Sequence, residues 1–307
     1  MSNSGQNTRT GQGKLLEAQA EDANKKTPDQ SLFSYKGVLY PCSVTSKETL
    51  QALQLLEARE DDLLIVTYPK SGTNWVCQVL HEVVHLTHQR EPLVDALILE
   101  FGKPEKVEHL KEKPSPRILS THLNYDNMPR SFFEKKSKIL LILRNPKDTA
   151  VSFYHFYNNN PVLPTYSSWD LFFKDYISGN VCYGSYFEYL LGWNKKLDEL
   201  NIMTVTFEEM KEDFAVQLEK ICEFTGLPLT KEQIKLVEKK TTFKSMKEKA
   251  TETNSKLAKA MFRKGEIGDW KSNFTEEQSQ EVDSKFEASL AGTTLGEKLN
   301  YNKYCKF

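Results

Sequence analysis

Lys70, Ser71, Gly72 and Thr73 place one ammonium, two hydroxyls and one glycine within four positions. They lie between an apolar run, Leu63–Tyr68 closed by Pro69, and a stretch of helical periodicity that opens with Asn74 and Trp75. Strand, short loop, helix N-terminus is the arrangement that aims several backbone N–H groups at one point, where the helix dipole favours an anion. Lys70 adds a full mobile charge, and the hydroxyls of Ser71 and Thr73 add donors. The chemistry this allows is the holding of a nucleotide phosphate. The order is not that of a Walker A loop, G-x-x-x-x-G-K-[ST], because Lys70 precedes the only glycine, Gly72.

Two further segments repeat this chemistry. Ile139–Leu143 carries no polar residue and is followed by Arg144, then by Asn145 and Pro146, a good N-cap and a good first helical residue. Arg144 is therefore expected at the carboxyl end of a central strand, where open α/β sheets bind ligands, unless it forms a structural ion pair with a neighbour such as Asp148. Ser152 falls about two turns into the helix that follows. Late in the chain, Arg263, Lys264 and Gly265 join two cations to a flexible glycine, a segment able to close over an anion or, more simply, a solvated basic turn.

These clusters need a scaffold. The chain has 307 residues, 39% hydrophobic and 27% charged, with net charge −1, the profile of an ordinary globular chain with no global pull toward nucleic acid or an anionic membrane. Apolar runs at Leu63–Tyr68, Ile118–Leu119, Ile139–Leu143 and Ile202–Phe207 alternate with helical segments. That pattern predicts βαβ units, hence an α/β fold with a central parallel sheet flanked by helices. Residues 1–30 are polar and are expected to be a flexible N-terminal tail, and 31–307 a single domain. No secretory leader or transmembrane run is expected, and five scattered cysteines without a CxxC pair suit a reduced, cytoplasmic protein without thiolate metal sites.

Taken together, Pro69–Trp75 (P-K-S-G-T-N-W), Arg144–Ser152 (R-N-P-K-D-T-A-V-S) and Arg263–Trp270 (R-K-G-E-I-G-D-W) have the order and spacing found in the cytosolic sulfotransferases, which the chain resembles over roughly residues 35 to 300. Smaller matches are Thr121-His122, Tyr154–Tyr157, Tyr183–Ser185 and Thr241–Phe243. The resemblance implies a P-loop-like sulfotransferase fold and a 3′-phosphoadenosine 5′-phosphosulfate donor, with adenosine 3′,5′-bisphosphate as product. The acceptor it implies is a small, apolar or aromatic molecule offering a hydroxyl or amine. It also implies roles: Lys70 to Trp75 for the 5′-phosphosulfate, with Trp75 on the adenine; Arg144, Ser152, Arg263, Lys264 and Gly265 for the 3′-phosphate; Thr241, Phe243 and Phe207 around the adenine.

Sulfuryl transfer needs a base for the acceptor proton and a cation for the leaving oxygen. His122, at the end of the strand expected over Ile118–Thr121, matches the family's histidine, so the resemblance makes it the base candidate and Lys70 the cation candidate. Four positions depart from the family pattern. Ser120 stands where a lysine usually precedes Thr-His, offering a hydrogen bond in place of a charge, and Phe207 replaces a tyrosine. Glu276 and Gln280 replace the valine and glutamate of the segment that pairs family members, so a monomer or weak homodimer is expected. Two other functions fit parts of the pattern: a nucleotide-binding protein with little catalysis, which Ser120 makes reasonable, and a P-loop kinase, which would need a Mg²⁺-holding aspartate not evident near the loop. His81-Glu82-Val83-Val84-His85 is a literal H-E-x-x-H, but the apolar stripe of Val76, Val79, Leu80 and Val83 places both histidines on the opposite, solvent-facing side, where a catalytic zinc would lack a cleft.

Overall fold

A computed structural model describes residues 31–92, 97–160, 163–252 and 261–307. The N-terminal tail expected over 1–30 lies outside the described residues. The strands are β1 (Leu32–Tyr35), β2 (Val38–Pro41), β3 (Leu63–Thr67), β4 (Ile118–Thr121), β5 (Lys138–Leu143) and β6 (Ile202–Thr206). β1 and β2 form an antiparallel hairpin turned by Lys36 and Gly37, both with positive φ. At four residues each, these two strands are too short to have been read from sequence.

β4-β3-β5-β6 is a parallel sheet, in the α/β architecture expected. Its central strands β3 and β5 read as long apolar runs because both faces are covered. Leu64, Val66, Leu119, Ile139 and Leu141 enter one core cluster, and Leu63, Ile65, Ile118, Leu140 and Ile142 the other. The alternation follows from the two-residue period of a strand. Ile202–Phe207 was expected to be one apolar run of strand, but the strand stops at Thr206. Thr206 caps the following helix, accepting from Glu209 N while the Glu209 carboxylate accepts from Thr206 N, so Phe207 begins a helix instead.

Strand order decides where a ligand fits. From β3 the chain leaves through the Thr73–His88 helix toward β4 on one side; from β5 it leaves through the Pro146–Asn159 helix toward β6 on the other. The two adjacent strands β3 and β5 thus send their connections in opposite directions, which opens a crevice beyond their carboxyl ends. The Lys70 loop follows β3 and Arg144 follows β5, so both border that crevice.

The H-E-x-x-H segment departs from expectation. His81 and Glu82 are buried, not solvent-facing. The Lys231–Lys240 helix packs on the Glu82 side of the Thr73–His88 helix, where Lys240 closes an ion pair with Glu82 at 2.7 Å, and His81 borders Arg90, Pro114 and Pro116 on another side. A second apolar partner on the far face is tertiary information that a one-helix projection lacks. Among the described residues there is no cluster of three or more His, Cys, Asp or Glu able to hold a metal.

Candidate active site

The phosphate-loop candidate is built as its residue types require. Lys70 has φ +69° and Gly72 φ +110°, two positive-φ residues that fold the chain tightly onto the N-terminus of the Thr73–His88 helix. Gly72 is the N-cap, and no side chain caps this helix. An uncapped N-terminus leaves its first N–H groups available to an anion. The Ser71 hydroxyl is fully buried without a partner. A Cβ on Gly72 would lie 3.2 Å from the Phe207 ring, so a side chain here is disfavoured by both conformation and space.

Lys70 has its ammonium 4.1 Å from the centre of the Phe156 ring. Burial, with the nearby guanidinium groups of Arg144 and Arg263, pushes its pKa down to about 7. A cation cluster of this kind is electrostatically unfavourable until an anion joins it.

Arg144 ties the loops together. Nη1 donates to the Lys70 carbonyl at 3.1 Å and Nη2 to the Glu266 carbonyl at 3.1 Å, while the guanidinium lies 4.4 Å from the centre of the Phe207 ring. Its Nε is buried without a partner. The alternative of an Arg144–Asp148 ion pair does not hold, because Asp148 gives its oxygens to the main-chain N–H groups of Gly268 (2.8 Å) and Trp270 (2.9 Å). Asn145 caps its helix as expected, accepting from Lys147 N and Asp148 N. Both junction residues therefore fasten the late basic segment beside the first loop. Within that segment, Asp269 is ion-paired with both Arg263 and Lys264. Gly265 has φ +68°, and a Cβ there would fall 2.5 Å from the Phe243 ring, so the backbone approaches that ring as only glycine permits.

His122 leaves β4 just beyond its last paired residue, Thr121. Its Nδ1 lies 2.9 Å from the Thr67 carbonyl and 3.1 Å from the Thr67 hydroxyl, which itself lies 2.6 Å from the Thr73 hydroxyl. A carbonyl can only accept, so Nδ1 carries the hydrogen and Nε2 keeps its lone pair. Burial holds the imidazole pKa below its ordinary value, the Glu100 carboxylate opposing that shift and Lys70 reinforcing it. The ring is neutral near pH 7 and free to take a proton at Nε2.

One cavity of about 810 Å³ joins these parts. Lys70, Gly72, Thr73, Asn74, Trp75, His122, Arg144, Ser152, Phe207, Phe243, Arg263, Lys264 and Gly265 all line it. Two site residues expected from sequence do not. Ser71 is buried beneath the loop, and Thr241 is buried with its hydroxyl on the Val237 carbonyl at 2.9 Å, closing the helix that ends there. Ser120 is also fully buried, beside Cys77, outside the lining, so it offers no hydroxyl to the cavity. The remaining wall is largely apolar and includes Ile98, Phe101, Phe153, Leu163 and Tyr183, with His155, Asn158 to Asn160, Thr165, Lys211 and Glu266 as its polar members.

Sequence reasoning missed Glu100, and gave no role to Tyr183 or Asp269 although both fall within the motifs it quoted. Asp269 carried no periodic signal, and Tyr183, whose ring centre is 5.1 Å from that of His122, comes from a distant turn. Glu100 did carry a signal: it is a lone carboxylate within the apolar stretch Leu97–Phe101.

A family model described as "Sulfotransferase domain" matches residues 60–294. Sulfotransferase 6B1 of Mus musculus is 44% identical over 286 residues, covering 93% of this chain and 94% of that protein. Sulfotransferase 6B1 of Homo sapiens is 45% identical over 291 residues, with coverage of 93% and 96%. Among solved structures, mouse sulfotransferase SULT7A1 complexed with PAP superposes with a TM-score of 0.78 at 36% identity, covering 88% of this chain and 99% of that one.

Proposed function

The chain belongs to the sulfotransferase family, and from that membership we propose that it moves a sulfuryl group from 3′-phosphoadenosine 5′-phosphosulfate to a hydroxyl or amine of a small apolar or aromatic acceptor. The single observation that carries this reading is that a neutral, oriented imidazole and two groups of cations line one cavity, at the crevice between β3 and β5.

The residues fit such a donor. The uncapped helix N-terminus, the Lys70 ammonium and the N–H of Gly72 suit the 5′-phosphosulfate. Arg144, Ser152, Arg263, Lys264 and Gly265 suit the 3′-phosphate, and the unpartnered Arg144 Nε marks donor capacity that the protein itself does not use. Trp75, Phe207 and Phe243 supply aromatic walls for a base. The bound donor supplies the sulfuryl group and a phosphate leaving group.

His122 Nε2 takes the acceptor's proton as the acceptor oxygen or nitrogen bonds to sulfur. Lys70 offsets charge that gathers on the oxygen released as the S–O bond breaks, and an anion bound there restores the ammonium that burial had weakened. The products are a sulfate ester or sulfamate and adenosine 3′,5′-bisphosphate, with the proton on His122. The apolar wall that includes Ile98, Phe101, Phe153 and Tyr183 suits an apolar or aromatic acceptor.

The test is transfer of labelled sulfate from the donor to a panel of small phenols, alcohols and amines. At least one acceptor should be sulfonated without added metal. If the donor binds tightly and no acceptor is ever labelled, a nucleotide-binding role with little catalysis replaces this reading.

A further inference from the structure

Glu100 is a fully buried carboxylate, and both of its oxygens are committed to the end of β4. Oε1 accepts from the His122 main-chain N–H at 2.8 Å, and Oε2 accepts from the Thr121 hydroxyl at 2.8 Å. The Thr121 oxygen in turn accepts from Leu123 N at 3.0 Å. Three consecutive residues, with His122 in the middle, are thereby held by one carboxylate.

The need for this follows from the sheet. β4 pairs with β3 only as far as Thr121 opposite Val66, so beyond that point the His122 N–H has no strand to bond. A buried unpaired N–H is costly, and most are satisfied. The segment carrying Glu100 is itself in register with the far edge of β4: Ser120 N donates to Leu97 O at 2.9 Å, and Leu99 N to Ser120 O at 2.8 Å. The next residue along, Glu100, arrives opposite His122. The carbonyls of Ile98, Leu99 and Phe101 converge on the Lys106 ammonium, fixing the turn around Glu100 with a cation close by. A buried carboxylate is tolerated where hydrogen bonds and a nearby cation offset its desolvation.

We infer that Glu100 is a positioning residue that fixes the His122 backbone, so that Nδ1–H meets the Thr67 carbonyl and Nε2 stays available in the cavity. Its contact is with the main chain and not with the ring, so it never receives the proton; it acts through His122. This inference rests on the proposed sulfuryl transfer for its kinetic consequence, and on geometry alone for its structural one. The imidazole is held at two points, its own Nδ1 and the main-chain N–H next to its side chain. Removing the second leaves the ring to pivot about the first, and a misplaced base loses rate steeply.

The experiment uses the full chain and three variants, Glu100→Ala, Glu100→Gln and Thr121→Val, with folding checked by thermal melting. For each, kcat, donor KM, bisphosphate affinity and the His122 ring tautomer, by long-range ¹H–¹⁵N correlation, are measured. Glu100→Ala should lower kcat about tenfold or more, with bisphosphate affinity and donor KM within about twofold of wild type, and should mix the His122 tautomers. Glu100→Gln keeps an amide oxygen for the His122 N–H and should restore most of the rate and the single tautomer. Should Glu100→Ala not fold, Thr121→Val removes one of the two carboxylate contacts and should lower kcat about threefold with the same tautomer mixing. Wild-type kcat and an unmixed tautomer in every folded variant would overturn the inference, as would bisphosphate affinity falling in step with kcat. If the wild type sulfonates no acceptor while the tautomer still follows Glu100, the proposed function fails and the positioning role stands.

Discussion

Arg144 donates from Nη1 to the main-chain carbonyl of Lys70 at 3.1 Å, so the cation of one strand–helix junction braces the loop of the other. Its second terminal nitrogen reaches Glu266 in the late basic segment. One guanidinium therefore joins all three basic segments that the sequence presents separately.

Arg144→Lys should weaken bisphosphate binding roughly tenfold or more, although the charge is kept. An ammonium cannot span two carbonyls and lie flat on Phe207 as a planar guanidinium does. Calorimetric titration of the variant checks this; wild-type affinity would mean that charge alone matters there.

Arg263→Ala should cost roughly 2–4 kcal/mol of bisphosphate binding, the scale of a lost charge-assisted contact to an enclosed anion. Adenosine 3′,5′-bisphosphate should bind the wild type far better than adenosine 5′-phosphate. Equal affinity for the two nucleotides would place the second phosphate elsewhere.

The Lys70 pKa is lowered from 10.5 to about 7 in the folded protein, chiefly by burial and then by Arg144 and Arg263. The unfolded chain therefore binds more protons than the folded one between those values, so this residue makes stability rise with pH across that window and costs stability below it. Lys70→Met should melt at a higher temperature than wild type at neutral pH, without nucleotide, and should show a shallower rise of stability between about pH 7 and 10.5. The same variant should lose sulfate transfer. Lys106, also pushed down to about 7, is present in both proteins and cancels in the comparison.

His122→Ala should reduce turnover about 10²-fold or more, the usual scale for a general base, with bisphosphate affinity near wild type. Steady-state kinetics beside nucleotide titration separates the two effects. An acceptor sulfonated equally well by both proteins would remove His122 from the chemistry.

Sedimentation at micromolar concentration should give a monomer or a weak dimer. Glu276, where the family's pairing segment has an apolar residue, is exposed in the first turn of the helix capped by Thr275. A charge there favours its own helix N-terminus and disfavours meeting its copy across a two-fold axis.

The sequence by itself determined the four strands of the parallel sheet and the three candidate anion-holding segments, because each rests on local order: an apolar run, a loop of small donors, a helix start. Asn145 and Pro146 announce their helix in the same local way, and so does the position of Arg144 at a strand end. Tertiary structure decided what those residues touch. Arg144 bonds to Lys70 and Glu266 rather than to Asp148, Thr241 turns its hydroxyl into its own helix, and Ser120 faces Cys77 away from the cavity. Glu82 is buried against a helix some 150 residues later, and His81 beside Arg90 and Pro116. Glu100 meets His122 only because the segment before it lies along the outer edge of β4. Periodicity records which face of an element is apolar; it carries no record of which distant element satisfies a buried N–H or covers a second face, and those pairings fix how the candidate base and the cations are held.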